Sequence, residues 1–206
     1  MGTIGKDLDD YVEIFHKNAV TKGFYLDFDL INSLLLLNCE ISEAIEADRK
    51  WLHAKEADVQ KVVDAYNEGS ESWTTLFEFL LKDTFEMELT DFFIRCLDLY
   101  GYELENDRDT PTLQKYLDDV SELLSRLVWD DEKGKKTYTN PKKILLLMEK
   151  YVAWMAETDD IAGHLCDVIY LVMYLAKYEY DFELIEFAEL KHRYNVTREF
   201  KHGKRY

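Results

Sequence analysis

Glycine and proline are scarce, with 8 and 2 in 206 residues, where average usage would give roughly 14 and roughly 10. So few chain-breaking residues leave little room for tight turns, and long helices are the natural reading. The cysteines are only three, Cys39, Cys96 and Cys166, far apart and each in an apolar stretch. Their odd number and spacing argue against a disulfide framework or a zinc site, and they read as reduced core thiols. Long apolar runs are missing too: Leu34 to Leu37 is far too short to span a bilayer. The first residues hold no apolar segment of signal-peptide length, and Lys6 stands where myristoylation wants Ser or Thr, so a cytoplasmic location is expected. Positive charge is in short supply, 25 Lys+Arg against 42 Asp+Glu, giving −17 and a pI near 4.7. That balance argues against a nucleic acid polymer or a membrane surface as partner, since both are polyanions. A small anionic ligand would need local positive charge to approach such a body.

What the chain does contain is apolar and aromatic surface, 47% and 14% of its residues, which excludes a disordered acidic polymer. Period-3.6 patterning dominates. Helices are expected over about Leu8–Lys22, stopped by Gly23, and from Asp27 or Asp29 to about Trp51, with 52–67 continuing helically. After a break at Asn67–Ser70, a long helix is expected over Leu76–Tyr100, ending at Gly101, then one over Thr112–Trp129 following Pro111. Asp130–Asn140 reads as a linker, followed by helices over Lys142–Ala156, Ile161–Tyr178 and Phe182–Tyr194. The fold class is therefore all-α, a helical bundle in one domain of 1–206. Within it, 1–105 is a carboxylate-bearing half, 106–181 an extra helical segment or degenerate repeat, and 182–206 the last helix with a basic tail. The repeat would lay Glu88-Leu89-Thr90-Asp91 on His164-Leu165-Cys166-Asp167; chance likeness of two apolar helices explains it equally well.

Carboxylates recur at helical spacing. Glu40 and Glu43 lie three residues apart, hence on one face, at the edge of an apolar arc of Leu37, Ile41, Ala44 and Ile45. Glu88 falls among Leu81, Phe85, Phe92 and Leu99 on the next such helix, with Asp91 at the margin. Carboxylates beside core positions are costly to desolvate unless paired or metal-bound. Four of them from two packed helices would form an all-oxygen cage suited to a hard divalent cation, Mg2+, or Mn2+ in its place. They are also readable as ordinary acidic residues pairing with Arg49, Lys50 and Arg95. At the other end, Lys191, His192, Arg193, Arg198, Lys201, Lys204 and Arg205 gather positive charge. This is either a solvated basic tail on the last helix dipole or a phosphate clamp.

Three stretches resemble a known family, the MazG-like all-α nucleoside triphosphate pyrophosphohydrolases, related to the dimeric dUTPases. Leu36-Leu37-Asn38-Cys39-Glu40-Ile41-Ser42-Glu43-Ala44-Ile45 is similar to the family's E-x-x-E motif. Glu88-Leu89-Thr90-Asp91 is similar to its E-x-x-D motif. Lys191-His192-Arg193-Tyr194-Asn195-Val196-Thr197-Arg198 with His202-Gly203-Lys204 is similar to its K-x-x-Y-N-x-x-R…H-G-K tail, and His16-Lys17-Asn18-Ala19 with Lys22-Gly23-Phe24 to its lead-in. The connection between Glu43 and Glu88 is longer than usual, and 106–181 separates the second motif from the tail. The resemblance implies hydrolysis of a nucleoside triphosphate, a deoxy or modified one, to monophosphate and pyrophosphate. Glu40, Glu43, Glu88 and Asp91 would be catalytic through Mg2+. Lys191, Asn195, Arg198 and Lys204 would bind substrate, with Trp51, Trp73, Tyr25 or Phe24 stacking on the base. It also implies a homodimer or tetramer, or a pseudo-dimeric monomer if 106–181 supplies helices internally.

Two other readings stand beside this one. Glu13-x-x-His16 and Glu189-x-x-His192 have the i, i+3 spacing of ferritin-like di-iron bundles, with Glu40 and Glu88 as further ligands. A non-enzymatic acidic helical adaptor would need none of these residues for chemistry.

Overall fold

The computed structural model describes residues 6–119, 129–130, 135–136 and 140–200. It is an all-α bundle; besides helices the described residues form one antiparallel ladder of two-residue strands, β1 (Trp129–Asp130) and β2 (Lys135–Lys136). Trp129 therefore belongs to this ladder and not to the end of a helix.

Helix α1 (Leu8–Thr21) starts in a capping box, Asp7 accepting from the Asp10 amide while Asp10 accepts from the Asp7 amide. Both groups satisfy amides that a helix start leaves orphaned. It buries Tyr11, Val12, Phe15, His16 and Ala19, one helical face, and stops at Lys22 before Gly23, whose φ is +82°. Helix α2 (Leu30–Arg49) is capped by Asp29, which accepts from the Ile31 and Asn32 amides. Its inner stripe of Leu34, Leu37, Ile41, Ala44 and Ala47 also contains Glu40.

The chain then leaves the helix at Trp51, in the left-handed region at φ 59°, so 52–55 is not helical. The break lets the Leu52 carbonyl accept from the Phe85 amide and the Ala54 amide donate to Glu86. Helices α3 (Glu56–Asn67) and α4 (Trp73–Leu80) pack on each other over a small core of Val62, Phe77, Leu81, Met87, Leu190 and Tyr194.

The expected helix over Leu76–Tyr100 is two helices. Its first part ends at Leu80, and Thr84 restarts the chain as α5 (Phe85–Asn106). Gly101 does not end α5; it lies inside the helix where α1 comes close, and a Cβ there would meet the His16 Cβ at 2.6 Å. Phe85 to Thr90 are buried all round, the mark of a central helix. α1, α2, α8 and α9 pack on α5.

Helix α6 is described over 113–119. Helices α7 (Lys142–Trp154) and α8 (Ile161–Tyr174) pack together, and α8 runs on through a π-helical turn, Leu175–Glu179. Residues Ile161–Glu179 are the one stretch among the described residues long and apolar enough to cross a membrane, and half of it is buried inside the fold. Leu165, Val168, Ile169, Leu171 and Val172 are core residues, so α8 is a core helix of the bundle. Helix α9 (Leu184–Thr197) closes the structure against α5. All three cysteines are free; Cys96 and Cys166 are core thiols, whereas Cys39 is exposed.

Candidate functional site

A cavity of about 1220 Å³ runs between α2, α5 and α9. The i, i+3 spacing of Glu40 and Glu43 on α2 faces that of Glu88 and Asp91 on α5, and all four line the cavity. Oxygens of Glu40, Glu43 and Glu88 lie within 4.8 Å of one another. Glu40 and Glu88 are buried and Glu43 is exposed. Asp91 sits beside them and meets the buried Lys191 of α9, Oδ2 to Nζ 2.6 Å. Across the cavity, Arg95 Nε donates to Glu40 Oε1 at 2.6 Å.

Desolvation and crowding decide the electrostatics. Burial pushes the Glu88 carboxyl up to about 8, with the charges of Asp91 and Glu40 adding to it and Lys191 opposing. Burial also raises Glu40; the Arg95 charge and hydrogen bond work against this, and Asp91 and Glu43 add to it. An uncompensated carboxylate group in such a place holds its proton. A divalent cation among these carboxylates would supply opposing charge.

The residues fit such an ion by their chemistry. The donor set is oxygen only, which suits Mg2+ or Mn2+ and gives a soft metal nothing. A second observation points to a ligand here. Asn38 Oδ1 and Asn195 Oδ1 are buried without a hydrogen-bond partner, and both residues line the cavity. Buried acceptors of this kind are ordinarily satisfied.

The basic residues divide. Lys191 lies 4% exposed, its Nζ 5.6 Å from the Phe77 ring centroid and 5.8 Å from that of Tyr194. Arg198 also lines the cavity, with its guanidinium 5.7 Å from the Tyr194 ring centroid. Lys22, at the end of α1, donates to the Val196 carbonyl at 2.9 Å and to the Arg198 carbonyl. It thereby fixes the chain where α9 ends. Lys204, with His202 and Gly203, lies outside the described residues.

Of the aromatic candidates, Phe24 and Tyr25 line the cavity. Trp51 is 86% exposed and is not among the lining residues; Trp73 packs edge-on against Tyr66. Tyr25 stacks with Phe28 at 5.2 Å and donates to Asp98 Oδ1 at 2.8 Å. Asp98 Oδ1 also meets His16 Nδ1 at 2.9 Å. Burial disfavours the charged imidazole, but the hydrogen bond and charge of Asp98, with Glu105, outweigh it and hold His16 above its ordinary value.

His16 is thus committed to Asp98. Glu189 accepts from Tyr11 at 2.8 Å, and His192 lies against Phe15. Neither histidine joins the carboxylate cluster. His164 Nδ1 stands 3.4 Å from Asp167 Oδ2 on α8, away from the cavity lining. Asn38 and Asp98 were not singled out from sequence. Asn38 had a signal, a lone amide directly after Leu34 to Leu37, and Asp98 another, lying two helical turns beyond Asp91 on the same stripe.

Comparison with models of protein families, with curated proteins and with solved structures finds no match to this chain.

Proposed function

We propose that this protein is a Mg2+-dependent nucleoside triphosphate pyrophosphohydrolase of the MazG-like all-α type, acting in the cytoplasm on a deoxy or modified nucleotide. One observation carries the reading. Glu40, Glu43 and Glu88 converge within 4.8 Å beside the Asp91–Lys191 pair, on a cavity that also holds Arg198 and Asn195. Those are the residues on which the family resemblance rests.

The four carboxylates would hold the cation, which neutralises phosphate charge and lowers the pKa of an attacking water. Glu43, the exposed member, would orient that water or take its proton. Lys191 and Arg198 bind phosphate oxygens and stabilise the charge that gathers on the leaving pyrophosphate. Asn195 offers a buried amide to a phosphate or sugar hydroxyl. The leaving group takes the two outer phosphates, and the nucleotide keeps one.

The test is pyrophosphate release from a panel of standard and modified nucleoside triphosphates, with and without Mg2+, for wild type and Glu43→Ala. Mg2+-dependent release from at least one nucleotide, lowered at least a hundredfold in Glu43→Ala, is the expected result. No release from any nucleotide would sink the reading and leave the helical adaptor. The di-iron reading has little support, because His16 and His192 are engaged elsewhere.

A further inference from the structure

Arg95 has more hydrogen-bonding capacity than its partner uses. Glu88, Asp91, Arg95 and Asp98 fall at i, i+3, i+7 and i+10 on α5, a single stripe facing the cavity. At 1.5 Å rise per residue, Arg95 lies about 6 Å along the helix beyond Asp91, and Asp98 about 4.5 Å further. Three zones follow in order: the carboxylates, Arg95, and the aromatic end where Tyr25 meets Asp98 and stacks on Phe28. Lys191 belongs to the opposite end. It pairs with Asp91 and approaches Phe77 of α4, on the side where α5 begins.

The Arg95 guanidinium engages Glu40 through Nε alone. Its two terminal nitrogens make no hydrogen bond to the described residues, although the charges of Asp91 and Asp98 also act on the group, and the side chain is 35% exposed while lining the cavity. A guanidinium serving only as a counter-ion would typically close a two-pronged bond with the carboxylate. Here the short bond to a buried Glu40 fixes the plane of the fork and leaves four N–H donors directed elsewhere. Such a fork matches phosphate oxygens.

We propose that Arg95 binds the phosphoryl group next to the sugar of a bound nucleotide, with Glu40 as its positioning residue. The assignment rests on the nucleotide-hydrolase reading above. It places the outer phosphates with Lys191 and Arg198, and the retained phosphate between the carboxylate cage and the aromatic end. Glu40 would then have two duties, accepting from Arg95 and serving as one of the residues that would hold the cation.

Calorimetric titration of wild type, Arg95→Gln and Arg95→Lys tests this with three probes: Mn2+ alone, and then, at saturating Mn2+, inorganic pyrophosphate and the four deoxynucleoside monophosphates dAMP, dCMP, dGMP and dUMP. For Arg95→Gln, affinity for the tightest monophosphate is expected to fall at least tenfold. Pyrophosphate and Mn2+ affinities should stay within threefold, and Arg95→Lys should recover part of the loss. A monophosphate loss below tenfold overturns the assignment. So does a parallel loss of pyrophosphate or Mn2+ binding, which would make Arg95 a counter-ion of Glu40 and nothing more. Wild-type protein that binds none of the probes overturns the enzymatic reading itself, and the role of Arg95 with it.

Discussion

Burial and the charges of Asp91 and Glu40 push the Glu88 carboxyl up to about 8, so folding raises its affinity for a proton. In the unfolded chain Glu88 ionises in the ordinary carboxylate range. Between that range and about pH 8 the folded state binds more protons, so its stability falls as pH rises through the window. Urea midpoints of the metal-free protein should accordingly decline from pH 5 to pH 8, and Glu88→Gln should flatten the decline. An unchanged slope in Glu88→Gln would contradict the assignment. Metal ligation needs the deprotonated carboxylate, so Mn2+ binding at pH 7 should release protons. Repeating the calorimetry in buffers of different ionisation enthalpy measures that release. At this scale much of the site was legible: i, i+3 spacing beside core positions picks out Glu40, Glu43, Glu88 and Asp91. Arg95 was readable as a partner of these carboxylates, and it pairs with Glu40, whereas Arg49 and Lys50 pair with Glu46. Which carboxylate Arg95 meets, and the commitment of His16 to Asp98, were not legible, since each depends on the mutual register of two helices far apart in sequence.

Helix boundaries in this chain follow contacts as much as local signals. Asp7, Asp29 and Gly23 mark their helix ends in the sequence. The exit from α2 at Trp51 and the gap between α4 and α5 carry neither glycine nor proline, and the apolar pattern runs through Leu80 and Leu81 without a pause. There the winning forces are tertiary, the Leu52 carbonyl reaching the Phe85 amide and Glu86 taking the Ala54 amide. Gly101 shows the converse, a glycine that reads as a stop but serves a close helix crossing. Gly101→Ala would drive a Cβ to 2.6 Å from the His16 Cβ; overpacking of this kind costs about 1–3 kcal/mol, and the thermal midpoint should fall accordingly. Gly23 combines a positive φ with the Phe200 ring where a Cβ would stand, 2.1 Å from Cζ. Gly23→Ala should therefore lower the midpoint and also free the chain after α9, seen as faster proteolysis beyond Thr197. Equal cleavage rates in the two proteins would show that the Phe200 contact does not hold that segment.

The molecule as a whole carries −17, and such a body repels itself when compact. Part of that repulsion is concentrated in the carboxylate cluster, where bulk salt screens buried groups poorly. Millimolar Mg2+ should raise the thermal midpoint by several degrees, whereas KCl at matched ionic strength should raise it less, and Glu43→Ala should abolish the difference. Identical shifts with both salts would reduce the cluster to surface charge. The all-α class was readable from low glycine and proline and from the 3.6 period. The division of labour among helices was not, because nothing local tells α5 that it will be surrounded. That central position has its own consequence for how the site moves. Glu88, Asp91, Arg95 and Asp98 stand on the one helix wrapped by α1, α2, α8 and α9, whose amides can meet solvent only when the bundle opens as a unit. Hydrogen exchange along α5 should thus be among the slowest in the chain and track global unfolding, so that the chemistry is mounted on the part of the protein least able to breathe.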